Sequence, residues 1–162
     1  MTASTATSVT TDIEVQAPVD TAFRVFTEQF DRIKPRDHNL LPVPIVETVF
    51  EPHVGGHVYD RGADGSECRW ARVLVFEPPH RVVISWDISP QWNVETDPSR
   101  TSEVEIRFIE LDAGRTRVEL EHRHLDRHGD GWPGEAAAVA SGNGWPLYLG
   151  RLQGRLQDAA GG

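Results

Sequence analysis

Polar and apolar positions change period three times along the chain. "TDIEVQAP" alternates as a short strand, and "PVDTAFRVFTEQFDRI" then repeats Phe23, Phe26, Phe30 and Ile33 at helical spacing, with Pro18 tolerated in the first turn. This predicts a helix with an aromatic inner face. It ends before "KPRDHNLLPVP", whose prolines exclude a helix and impose an extended or irregular connection. From Ile45 to Leu125 alternation takes over. "IVETVFEP", "HVYDR", "SECRWARVLVFEPP", "RVVISWDI", "TSEVEIRFIEL" and "RTRVELEHRHL" read as successive strands, and the short connections between most of them predict an antiparallel meander. In "TSEVEIRFIEL", Val104, Ile106 and Phe108 share one face and Glu103, Glu105 and Arg107 the other, so the sheet has one wet and one covered side. The cover is supplied by "NGWPLYLGRLQGRLQ". There Trp145, Tyr148, Leu149, Leu152 and Leu156 form one helical stripe, separated by Ser141 to Gly144 from a weaker helix, "PGEAAAVA".

This order predicts an α+β helix-grip architecture, a curved antiparallel sheet wrapped around a long C-terminal helix with an internal cavity between them. One domain is expected over residues 12–158. Residues 1–11 and the "AAGG" end read as frayed tails.

Composition narrows the partners. A formal charge of −9 without a basic stripe argues against nucleic acid. No stretch approaches the roughly 20 apolar residues of a membrane span, and "MTASTATSVTT" lacks the marks of a signal peptide. Cys68 is the single cysteine and forms no internal disulfide, which fits a cytoplasmic location.

The candidate chemistry centres on "VELEHRHLDRH", with three histidines in seven positions. Alternation sets His122 and His124 in line with Val118 and Leu120, facing inward, and leaves His128 beyond the strand end. A metal site, an acid/base pair and a polar pocket lining all remain open. The metal reading lacks further inward ligands, and no cofactor is implied. Tyr59, Trp86, Phe108, Trp145 and Tyr148 are the other expected lining residues, because several aromatic groups with polar handles on one space suit a ligand that is partly polar. Trp70 and Arg72 are ambiguous, since Ala71, Val73 and Val75 offer a rival inner row. Cys68 lacks a histidine partner in the pattern and reads as structural. Asp37-His38 is a weak acid/base candidate at the cavity mouth.

The pieces "IEVQAPVDTAFRVFTE", "EPHVGGHVYDRGADGSECRWARVLVFEPPHRVVISWDI", "RTRVELEHRHLDRHGDG" and "GNGWPLYLGRL" resemble the AHSA-like proteins. These are homologues of the activator of the heat-shock-protein-90 ATPase, within the START-like, birch-allergen-like superfamily. The resemblance runs from Asp12 to Leu156 and is most specific at Gly55-Gly56, at "FEPPHRVVISW" and at "LEH" followed by "GW". It implies a START-like fold. True chaperone activators carry a further N-terminal domain, for which only a short tail stands here, so a chaperone partner is weakly implied. The leading expectation is a stand-alone, non-enzymatic protein for a small hydrophobic or aromatic ligand. The rivals are a cyclase, aromatase or hydrolase using cavity histidines, and a chaperone-associated stress module. An exposed strand edge leaves a homodimer open.

Overall fold

The computed structural model describes residues 7–161, with side chains as far as Gln157. Residues 1–6 and Gly162, at the two expected tails, lie outside the described residues. The strands are β1 (Val9–Val15), β2 (Ile45–Phe50), β3 (His57–Gly62), β4 (Glu67–Glu77), β5 (Arg81–Trp86), β6 (Ser102–Asp112) and β7 (Arg115–Arg123). They form one 7-stranded sheet in the order β1-β7-β6-β5-β4-β3-β2, with every neighbouring pair antiparallel. β2 to β7 are therefore the expected meander, and β1 closes onto its last strand. β1 begins two residues earlier than alternation indicates, because Val9 pairs with His122 and extends the ladder into the expected tail.

The helices are α1 (Val19–Glu28), followed by a single 3-10 turn at Phe30–Arg32, then α2 (Trp132–Ala140) and α3 (Trp145–Gly161). α3 thus continues through residues 159–161, which were read as part of a frayed end. Its stripe of Trp145, Tyr148, Leu149, Leu152 and Leu156 is buried, as the spacing predicts. α3 packs across β1 and against α1. The turn between α2 and α3 requires glycine at 144, since a Cβ there would lie 2.1 Å from the Val139 carbonyl oxygen.

α1 brings Phe23 and Phe26 edge-on to Phe108, with ring centres 5.1 and 5.8 Å apart. Phe108, expected at the cavity, is instead part of this packed aromatic core. On the outer face Arg123 and Arg107 pair with Glu105, which is why a carboxylate half-way along a strand sits almost out of water. One irregularity positions the site. Tyr59 pairs with Arg69 and Val58 with Ala71, so Trp70 is an extra residue in a β-bulge. Trp70 and Ala71 are consecutive and both buried, which strict alternation forbids.

Candidate functional site

A cavity of about 510 Å³ lies between the sheet, α2, α3 and the proline-rich connection after the 3-10 turn. Its wall is aromatic and continuous. Trp70 meets Trp86 with ring centres 5.6 Å apart, Trp86 meets Trp145 at 5.4 Å, and Trp145 meets Tyr148 at 5.0 Å. Such tilted and edge-to-face contacts are the low-energy arrangement of aromatic rings. Trp92, 45% exposed and held at φ +62°, stands at the rim.

Two polar pairs interrupt this wall. Lys34 Nζ lies 3.1 Å from Asp60 Oδ2, while Thr48 Oγ1 donates to Asp60 Oδ1 at 2.7 Å and Lys34 also donates to the His38 carbonyl. Burial pulls the Lys34 ammonium below its usual range, and the Asp60 charge opposes that shift. In the second pair, His38 Nδ1 and the Tyr148 hydroxyl are 2.8 Å apart. Burial lowers the His38 pKa and raises that of Tyr148, so near neutral pH an uncharged imidazole faces an un-ionised phenol. With its proton on Nε2, His38 accepts the Tyr148 hydroxyl through Nδ1.

Behind the aromatic wall runs a nearly closed loop of buried polar groups. Trp145 Nε1 donates to His122 Nδ1 at 3.1 Å. A neutral His122 therefore carries its proton on Nε2 and donates to Ser102 Oγ at 2.7 Å. The Ser102 hydroxyl in turn donates to His128 Nε2, also at 2.7 Å. His128 Nδ1 stands 3.7 Å from Glu135 Oε1, and Trp86 Nε1 donates to Glu135 Oε2 at 2.9 Å. Burial, assisted by His128, pushes His122 down to about 3, while burial pushes Glu135 up to about 7 against the Trp86 N–H. The loop fixes two indoles of the cavity wall, Trp86 and Trp145, from behind.

Residues 16–157 match the family model described as Activator of Hsp90 ATPase homolog 1-like protein. The chain belongs to this family. Among solved structures it is similar to the anthrahydroquino-gamma-pyrone synthase Txn09, with 36% identity over 91% of this chain and 95% of that one and a TM-score of 0.64. It is also similar to CalC, a self-sacrificing resistance protein from Micromonospora echinospora, with 26% identity over 94% of this chain and 95% of that one and a TM-score of 0.68. A protein from Nitrosomonas europaea, 16% identical over 94% of this chain and 95% of that one with a TM-score of 0.63, shares the fold. No curated protein matches it.

In this family member the expected site residues separate into distinct places. Trp86, Trp145 and Tyr148 line the cavity. His122 is buried on the expected face but lies behind Trp86 and Trp145, outside the lining. His124 does not face the cavity. β7 ends at Arg123, and the next residue adopts φ +62°, which breaks the alternation and turns the side chain into solvent. Tyr59 is on the outer face, beneath the Arg69 guanidinium at 5.6 Å, because the inward phase of β3 belongs to Val58 and Asp60. His128, read as lying clear of the site, is buried in the loop with His122. His124→Asn is expected to change unfolding free energy by less than about 0.5 kcal/mol, since asparagine tolerates the left-handed backbone and the position is exposed. A urea melt with a larger loss would mean that His124 is packed.

Sequence reasoning missed Lys34, Asp60, Ser102 and Glu135. Asp60 had a legible signal, an acidic residue in phase with Val58, and so did Lys34 as the single lysine of the chain. Glu135 in "PGEAAAVA" had none. Among the described residues, no group of three His, Cys, Asp or Glu side chains is arranged to hold a metal ion, and no helix is long and apolar enough to cross a membrane.

Proposed function

We propose that the chain binds a planar, polycyclic, oxygen-bearing aromatic molecule in the cavity. The carrying observation is the unbroken run of Trp70, Trp86, Trp145 and Tyr148 along a space of about 510 Å³. That volume falls in the range of roughly 300–1,000 Å³ that suits small organic ligands. The aromatic wall supplies faces and edges for stacking, and the two polar pairs supply orientation. The name of the 36% identical relative, a synthase of an anthrahydroquino-gamma-pyrone, describes fused oxygenated rings of this kind. The family description refers to a chaperone activator, but the cavity supports the small-molecule reading more directly.

A hydrophobic fluorophore is expected to bind the purified protein one to one. Trp92→Ala should weaken it about two- to tenfold, the worth of one aromatic contact, without lowering stability, because Trp92 is at the rim. Weak binding that never saturates would count against a cavity site. Native mass spectrometry of freshly purified protein would identify a retained ligand class.

A second reading, ring-closing catalysis at the same place, is favoured by the His38 and Tyr148 pair together with the similarity to a synthase. The neutral imidazole has the capacity to take a proton and the phenol to return one. Its test is Tyr148→Phe, which removes only the hydroxyl. Loss of turnover of the retained ligand with binding intact would support catalysis through this pair, and unchanged turnover would exclude the pair.

A further inference from the structure

Two residues of the cavity wall carry donor capacity that protein groups among the described residues leave unused. The first is Trp70, whose Nε1 is fully buried and without a partner. The second is Lys34, whose ammonium faces Asp60 and the His38 carbonyl and has three hydrogens to place. Both residues line the cavity and both are almost inaccessible to solvent. They are also neighbours, with Lys34 Nζ 5.8 Å from the centre of the Trp70 ring.

A buried N–H without an acceptor costs free energy, so native structures retain few of them and their exceptions cluster where a ligand or water completes the set. Here the backbone bends to create the exception. The bulge in β4 leaves Trp70 unpaired in the ladder and puts it on the inner face together with Ala71. Without the bulge, the row that Cys68 begins would hold Trp70 and leave Ala71 and Val73 on the outer face, so the bulge lets Trp70 share the inner face with Ala71 and Val73. Lys34 is the single lysine in a chain with 16 basic residues. A guanidinium at that place would bring five N–H donors into a site that offers fewer acceptors, whereas a compact ammonium leaves one donor over.

The charge of this notch narrows what it accepts. Asp60 already balances Lys34, so an incoming carboxylate would meet a buried carboxylate nearby, and an incoming cation would meet the ammonium. A neutral acceptor oxygen meets neither penalty. We propose that Lys34 and Trp70 form a subsite for a ring carbonyl oxygen, which makes the cavity select carbonyl-bearing planar aromatics over hydrocarbons and ethers of the same shape. The proposal rests on the cavity being the ligand site described above.

The test compares xanthone with xanthene, two tricyclic molecules of similar outline that differ in the central carbonyl, by displacement of the bound fluorophore. The native chain should prefer xanthone by about tenfold or more, since each of two donors gains an acceptor that xanthene does not offer. In Trp70→Phe the preference, taken as the ratio of the two affinities so that any stacking loss common to both compounds drops out, should fall to about threefold or less. The double variant Lys34→Met/Asp60→Asn, which removes the ion pair without stranding a charge, should also lose the preference. Trp70→Phe leaves the ion pair intact and decides the matter if the double variant does not fold. Equal binding of the two compounds to the native chain would overturn the carbonyl subsite while leaving the cavity in place. A preference unchanged in Trp70→Phe would overturn it too. If neither compound displaces the fluorophore, the cavity reading fails and the subsite falls with it.

Discussion

Leu152→Ala is expected to lower the unfolding free energy by about 2–5 kcal/mol, the range for removing a leucine from a packed interior. Leu152 is fully buried in the middle of the α3 stripe, with Leu149 and Leu156 one turn away on either side. The elements around it are held independently. β1 is fixed by its ladder to β7, and α1 by its phenylalanines, so neither is free to collapse into the space that the side chain leaves. A nearby substitution on the opposite face should go the other way. Gly150 is exposed and a Cβ there meets nothing, so Gly150→Ala is expected to gain about 0.5–1 kcal/mol from helix propensity alone. Urea denaturation measures both. A loss below about 0.5 kcal/mol for Leu152→Ala would mean that the sheet does not grip the helix. The same variant should weaken fluorophore binding, because α3 carries Trp145 and Tyr148 to the cavity.

The features legible in the sequence were those written as a sustained period. The stripe of α3 and the alternation of β6 and β7 extend over enough residues for the pattern to settle both the element and the buried face, and these set the architecture. Three losses of phase account for the errors at the site. In "HVYDR" the adjacent Val58 and Tyr59 compete for the inward phase, and choosing the tyrosine concealed Asp60. In "CRWARV" a bulge places two consecutive residues inward, so neither of the rival rows was right alone. In "HRHL" the strand ends one residue before the alternation would, and the left-handed turn at His124 sends that imidazole out while the following 3-10 turn, Leu125–His128, carries His128 in. Phe108 shows a different limit. Its face was read correctly, but a sheet face is shared between core and cavity, and only the packing of α1 determines which part Phe108 meets. Glu135 lies in a helix with little amphipathic pattern, and its partner Trp86 is distant in sequence, so only the folded chain brings the two together.

Glu135→Gln is expected to gain stability relative to the native chain as pH rises, by about 2–3 kcal/mol between pH 4.5 and 7. The Glu135 carboxyl is buried, and its pKa is raised from an ordinary 4.5 to about 7. Between those values the folded chain keeps a proton that the unfolded chain has released, so each step upward in pH favours unfolding. His122 acts in the opposite sense. Its pKa falls from an ordinary 6.5 to about 3, so between those values the unfolded chain holds a proton that the folded one refuses, and rising pH favours folding. From about pH 4.5 to 6.5 Glu135 opposes His122, and the lowered pKa values of His128 and His38 add to the His122 side, so the native chain should gain stability only slowly across this window. Below that window stability falls with acid, through His122 and through Glu105 and Asp31, whose arginine partners hold their carboxyls below the ordinary range. Above it Glu135 alone governs, and stability declines until its folded pKa is passed. Glutamine keeps the acceptor for Trp86 Nε1 through its carbonyl oxygen but has nothing to ionise. The variant should therefore climb more steeply than the native chain from acid to about pH 6.5 and stay level beyond, where the native chain declines. Urea melts of both chains from pH 4 to 8 provide the comparison. Parallel curves would mean that Glu135 ionises in the folded state as it does in water, and that the loop behind Trp86 and Trp145 admits solvent.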